Sequence, residues 1–135
     1  MASVLEDKDA IRELLARYCF HFDSGDFDEW IDLFTPDGVF DVGPMGRFAE
    51  HVGLRQFLKT VPLTDGLPQV KHCVMNSIVT VDGATATAQS YVVVISAGPP
   101  LGLTLAGRYE DRLVKTPHGW RFRERRAHFD LFHGR

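Results

Sequence analysis

Cysteine is scarce in this sequence: only Cys19 and Cys73 occur in 135 residues, each inside an apolar run. Two thiols placed this way exclude a disulfide framework and read as buried groups of a reducing, cytoplasmic protein. There is no CxxC pair, HExxH helix motif, phosphate-binding glycine loop or dinucleotide fingerprint, so neither a metal nor a cofactor is expected. The one cluster that invites a metal, His128, Asp130 and His133, has its two histidines on opposite strand parity, and no metal site is assigned to it. No apolar run approaches the length of a membrane helix. The N-terminal MASVLEDKDAIRELL also lacks a basic region followed by a long apolar stretch, so no membrane partner or targeting segment is expected. A net charge of -3 gives no attraction to phosphate backbones, which argues against nucleic acid. The basic residues Arg121, Arg123, Arg125 and Arg126 mostly alternate along a predicted strand and read as a solvated face with acidic partners such as Glu110.

Aromatic residues, by contrast, are plentiful. Ten Phe, three Tyr and two Trp supply more ring surface than a core this small requires, which suits an aromatic-lined cavity as well as core packing. The length fits one domain over residues 1–135, with no repeat or linker. Ile11, Leu14, Leu15, Tyr18, Cys19 and Phe22 recur at helical steps and predict a helix from Val4 to Phe22. Gly25 ends it, and Asp26 with Glu29 resembles a capping box opening a short second helix. Thr35 to Gly38 (TPDG) should break the chain before a strand from Val39 to Val42, and a third helix is predicted from Gly53 to Thr60. Four longer strands follow as a meander, with turns at Asp82-Gly83, the loop 98–102 and the turn 116–119. Helices first and an antiparallel sheet after define an α+β fold.

Three segments, AIRELLARYCFHFDSGDFDEWIDLFTPDGVFDVG, KHCVMNSIVTVDGATATAQSYVVV and AGRYEDRLVKTPHGWRFRERR, resemble in order and spacing the SnoaL-like members of the nuclear transport factor 2-like superfamily. The resemblance covers nearly the whole chain. It implies a cone-shaped α+β barrel of the cystatin-like kind, with N-terminal helices on a strongly curved, mostly antiparallel sheet around an apolar pocket. The superfamily includes enzymes, ligand binders and structural subunits, so fold alone does not give function. In site pattern the chain is most similar to scytalone dehydratase and hexachlorocyclohexane dehydrochlorinase, whose Asp and His pair falls on Asp23 and His72. The strings FDSGDFDEW and VKHCVMN carry that correspondence. Phe22 and Val42 stand where the dehydratase has two pocket tyrosines, and its second histidine falls near Ser96. The oxyanion-hole tyrosine of ketosteroid isomerases matches Tyr18, while their base aspartate falls on Val42.

An Asp that accepts a hydrogen bond from one imidazole nitrogen fixes the tautomer and leaves the other nitrogen as a base. Asp23 and His72 are the catalytic candidates on this ground. Asp23 equally suits a solvated helix-ending turn, and His72 a satisfied strand position. Alternation puts Val74, Asn76 and Ile78 on the His72 face, which makes Asn76 a candidate to orient a substrate oxygen. Tyr18, one turn before Phe22, needs a hydroxyl partner that is either substrate or the sheet. Tyr91, Tyr109 and Asp111 are similar cases. Trp120, Phe122, Glu124, Arg126 and His128 share a face, which places Arg126 or His128 to bind a carbonyl or anionic group, or else in a structural ion pair.

These readings converge on a cofactor-independent lyase or isomerase, acting on a small apolar, aromatic or polyketide-like molecule. The alternative is a non-catalytic binder or assembly subunit of the same fold. The resemblance also implies that the open outer sheet face packs against a second copy, giving a homodimer or higher homo-oligomer.

Overall fold

Helix α1, Val4–Asp23, begins where Ser3 and Glu6 cap each other: the Glu6 amide donates to Ser3 Oγ and the Ser3 amide to Glu6 Oε1, both at 3.1 Å. This exchange satisfies two of the amides that a helix start leaves free. The stripe Ile11, Leu14, Leu15, Tyr18, Cys19 and Phe22 is buried, as its periodicity predicts. The computed structural model describes residues 2–97 and 101–132. The chain leaves α1 through Gly25, at φ +74°, where an added Cβ would lie 3.1 Å from the Gly66 carbonyl oxygen. Asp26 precedes α2, Phe27–Ile31, but its side chain makes no cap bond and lies 3.7 Å from His21 Nδ1. The capping box read from Asp26 and Glu29 is therefore not formed.

The long strands are β3 (Val70–Asp82), β4 (Thr85–Ser96), β5 (Gly102–Thr116) and β6 (Gly119–Phe132), an antiparallel meander as expected. Strand β1, Phe34–Asp41, starts earlier than the predicted Val39 to Val42 and pairs in parallel with β6. Residues 35–38 do not break it. They bulge between the pairs Phe34–Phe122 and Val39–Glu124, and Gly38 allows this because a Cβ there would meet the Phe34 Cβ at 2.9 Å. Val42 falls past the strand, before the 3-10 turn Gly43–Met45. A short strand β2, Arg47–Ala49, had no signal in the sequence and pairs with β1. Helix α3, Glu50–Leu58, lies slightly earlier than the predicted Gly53 to Thr60. The curved sheet has the order β2-β1-β6-β5-β4-β3 and stays open, so the cone is not a closed barrel.

Two irregularities decide which residues face the helices. In β3 the register shifts between Met75 and Ile78, where Asn76 takes a φ of 58°. In β6 Arg123 has no partner between Phe122 and Glu124. Each adds one residue and so reverses the alternation beyond it. Ile78 turns outward and Val79 inward. On β6, Phe122 and then Arg125 and Ala127 face the core, while Arg126 and His128 face solvent.

The core lies between α1 and the sheet and is a nest of rings. Trp30, fully buried, has its ring centre 5.4 Å from Tyr18, 5.1 Å from Phe34 and 6.0 Å from Phe57. Burying each such side chain is worth about 1.5–3 kcal/mol. Among the described residues, no helix is long and apolar enough to cross a membrane.

Candidate active site

The last residue of α1, Asp23, meets the edge strand β3 at His72. Its Oδ1 accepts a hydrogen bond from His72 Nδ1 at 2.7 Å, and its Oδ2 accepts one from the His72 backbone amide at 2.8 Å. Both side chains are nearly buried, Asp23 at 8% and His72 at 11% exposure. An anion at a helix C-terminus opposes the helix dipole, so this carboxylate depends on the two donors of residue 72. An ionised carboxylate only accepts, so a proton sits on Nδ1, and in the neutral imidazole Nε2 is then the ring nitrogen that carries the lone pair. No other described residue hydrogen-bonds the His72 ring. Phe22 packs edge-on against the imidazole at 4.9 Å and Tyr18 at 6.1 Å.

Tyr18 joins this pair to a second buried group. Arg125, fully buried on β6, donates from Nε to Asp111 Oδ1 at 2.8 Å and from Nη2 to Asp111 Oδ2 at 3.0 Å. Its guanidinium carbon lies 3.7 Å from the Tyr109 ring centre, 4.3 Å from Tyr18 and 4.5 Å from Phe122. The third nitrogen, Nη1, has no acceptor among the described residues, and neither does the indole nitrogen of Trp30. Burial pushes the Tyr18 phenol up to about 12, partly opposed by the Arg125 charge, so Tyr18 stays neutral and is no base. Burial raises Tyr109 and the Asp111 carboxyl as well, with Arg125 opposing both shifts. Burial also drives the Cys19 thiol up to about 12, which makes it a poor nucleophile; Cys19 and Cys73 are both free thiols.

A groove of 330 Å³ runs along the seam of α1 and β3, with Arg12, Cys19, Phe20, His72, Cys73 and Ser77 in its wall. Arg12 Nε donates to Ser77 Oγ across this seam at 3.2 Å.

The structure thus brings Asp23, His72, Tyr18, Phe22 and Tyr109 together, with Val42 buried in the same core cluster. Asn76, Tyr91, Arg126 and His128 lie elsewhere. Asn76 is exposed at the β3 bulge, and Tyr91 is 59% exposed on the outer face. Arg126 Nε sits 3.4 Å from Glu124 and His128 Nε2 3.5 Å from Glu110, both on that same outer face. Simple alternation assigned Asn76, Arg126 and His128 to the inner face, and the two bulges reverse it. Arg125, read as one of a solvated cluster, is instead the buried cation. One signal could have found it: the apolar residues of β6 switch from even positions (Trp120, Phe122) to odd ones (Ala127, Phe129). His133 lies outside the described residues, among which no group of three or more His, Cys, Asp or Glu side chains is placed to hold a metal.

The model of the SnoaL-like domain matches residues 3–126. The chain belongs to the SnoaL-like family. A Mycobacterium tuberculosis protein, itself uncharacterized, is 32% identical to this SnoaL-like chain over 127 residues, covering 90% of it and 85% of the relative. A nuclear transport factor 2-like protein with a cystatin-like fold from Novosphingobium aromaticivorans superposes with a TM-score of 0.82 at 28% identity, over 98% of this chain and 86% of that one. The anthranilate 1,2-dioxygenase small subunit of Burkholderia cepacia is 25% identical, over 84% of this chain and 81% of its own.

Proposed function

We propose that this SnoaL-like protein is a cofactor-independent lyase or isomerase in which His72 is the general base. The observation that carries the reading is the double clamp of Asp23 on His72, at 2.7 and 2.8 Å, which holds the ring in the tautomer that leaves Nε2 able to accept a proton. In the proposed step, Nε2 removes a proton from substrate carbon. The C–H electron pair then either forms a double bond as a leaving group departs, or moves onto an adjacent oxygen and returns as the proton is delivered to another carbon. Arg125 Nη1, buried beside Tyr18, is the group best suited to stabilise the negative charge that develops. It takes the role that the sequence offered to Tyr18 or Asn76. The rings of Tyr18, Phe22 and Tyr109 favour a small apolar or aromatic substrate. Screening such carbon acids for deuterium uptake from heavy water, then repeating with Asp23→Asn and His72→Ala, tests the assignment. Exchange that survives both substitutions removes His72 as the base.

A second reading, assembly, is favoured by the outer sheet face. Met75 pairs across strands with Tyr91, and with Leu131 they are 41%, 59% and 61% exposed. Arg108 and Glu110 lie beside them at 3.1 Å from each other. This mixed patch suits a second copy of the chain, and a relative of this fold is a dioxygenase small subunit. Light scattering at micromolar protein reports a homodimer on this reading, and a monomer overturns it.

A further inference from the structure

We infer that the groove along the α1–β3 seam is a binding site of its own for an amphipathic carboxylate, whose head sits on Arg12 and whose apolar body lies along the seam toward Phe20. The inference goes beyond the proposed proton abstraction and does not depend on it.

The first observation is how Arg12 is held. It is exposed on α1, yet its side chain is tied across the seam, Nε donating to Ser77 Oγ at 3.2 Å over 65 residues of sequence. Fixing a long side chain in one place costs rotamer entropy, and the bond aims the guanidinium fork. The two Nη groups meet no acceptor among the described residues, and Arg12 forms no ion pair there. Ser77 reaches α1 only because of the bulge in β3. Alternation from His72 and Val74 would turn residue 76 toward the helix. The register shift between Met75 and Ile78, with Asn76 at φ 58°, brings Ser77 there instead and leaves Asn76 exposed. Bulges re-aim side chains, and this one sets a hydroxyl against the guanidinium.

The second observation is the shape and charge of the groove. Helix and strand run antiparallel along it, tied at one end by Arg12 and Ser77 and at the other by Asp23 and His72. Its 330 Å³ falls at the small end of ligand sites, which span about 300–1,000 Å³. Arg12, Ala16 and Phe20 stand one turn apart in a file on α1, above an apolar floor of Leu15, Cys19 and Val74. Phe20 is 73% exposed, and a helical side chain leans back over the preceding turn, here the turn of Ala16. Among the described residues, Arg12 is the only Lys or Arg in the wall, while the Asp23 carboxylate stands about 16 Å farther along the helix. The two charges give an anion one orientation, its head on Arg12 and its body over Ala16 and Phe20. A neutral molecule of the same shape gains the apolar contacts alone.

The test titrates ¹⁵N-labelled protein with 4-phenylbutyrate, 4-phenylbutan-1-ol and acetate, and follows the Arg12 Nε–H resonance beside the backbone amides of Ala16, Phe20 and Ser77. The expected result is that 4-phenylbutyrate shifts this set and binds about tenfold tighter than the alcohol, with acetate weaker than 4-phenylbutyrate. Arg12→Gln should remove the preference for the acid over the alcohol. Ala16→Glu, which sets a negative charge in the file, should weaken 4-phenylbutyrate by about tenfold or more. Both positions are exposed, so the fold should tolerate these changes. Equal affinity for acid and alcohol in the wild type, acetate binding as tightly as 4-phenylbutyrate, an affinity for the acid unchanged by Arg12→Gln, shifts confined to the ring core around Tyr18, or no binding at millimolar concentration would each overturn the inference. None of these readouts involves turnover, so failure here is distinct from failure of the heavy-water exchange that tests His72 as base.

Discussion

Replacing Asp23 by Asn changes one oxygen into an NH2 group and so poses a sharp question to the clamp on His72. The carboxylate accepts two hydrogen bonds from residue 72, one from ring Nδ1 and one from the backbone amide. Asn has one oxygen for these two donors. The backbone amide cannot change its role, whereas the imidazole can move its proton, so the lower-energy arrangement keeps the oxygen on the amide and turns the NH2 toward Nδ1. Nδ1 must then offer a lone pair, and the proton moves to Nε2, where the base is needed. The loss in rate expected from disabling a general base is about a hundredfold to ten-thousandfold. Stability should fall much less, by about 1–3 kcal/mol, since a charge-assisted bond is exchanged for neutral ones. The assay is ¹⁵N NMR of the His72 ring beside substrate turnover: wild type shows a protonated Nδ1 and Asp23→Asn a protonated Nε2. An unchanged tautomer with an unchanged rate would refute the reasoning, and a large loss of stability would mean that Asp23 is chiefly a structural clamp.

Arg125→Met should destabilise the fold by about 3–5 kcal/mol in urea titration, because it strands the fully buried Asp111 carboxylate, and adding Asp111→Leu should recover much of that loss. Lys115 Nζ, and then Trp120 Nε1, hydrogen-bond Asp7 and hold its carboxyl below the usual carboxylate range, so the stability it contributes is present above the ordinary value of about 3.9 and fades as the pH falls through the lowered one. Melting temperatures of wild type and Asp7→Asn should therefore differ at neutral pH and converge in acid, and a constant gap would argue against this pairing. Gly107→Ala should yield little soluble protein, because a Cβ there collides with the His128 carbonyl oxygen of the neighbouring strand, an effect checked by expression and circular dichroism.

The α1 stripe, the meander and the α+β order were legible because each is a periodic pattern long enough to outweigh local exceptions. Asp23 and His72 could be singled out through a family resemblance, but their contact could not, since 49 residues separate them and no local rule spans that distance. The polar lining failed for a different reason. Alternation extrapolated from His72 to Asn76, or from Trp120 to Arg126 and His128, assumes an unbroken strand, and an extra residue in β3 and another at Arg123 in β6 reverse the assignments that follow, in β6 as far as the second unpaired residue, Asp130. Arg125 was hidden in the same way, and it also looked like one of four surface arginines. Strand β2, at three residues, was too short to show any alternation.

The same alternation separates two possible uses of this fold. His72 points toward α1, whereas Met75, Tyr91, Arg108 and His128 form one cross-strand row on the opposite face of the same sheet. The inner groups are held by α1 and the ring core, and the outer row is held only by the strands, so either set can change without disturbing the other. On this argument Asp23→Asn with His72→Phe abolishes proton abstraction yet leaves self-association unchanged, while Tyr91→Glu weakens self-association and leaves the Nδ1-protonated tautomer of His72 intact. Sedimentation on both variants, deuterium uptake from heavy water on the first and ¹⁵N NMR of the His72 ring on the second measure these outcomes. If Tyr91→Glu also shifted the His72 tautomer, the two faces would be coupled through the strands, and the site could not be treated as complete within one chain.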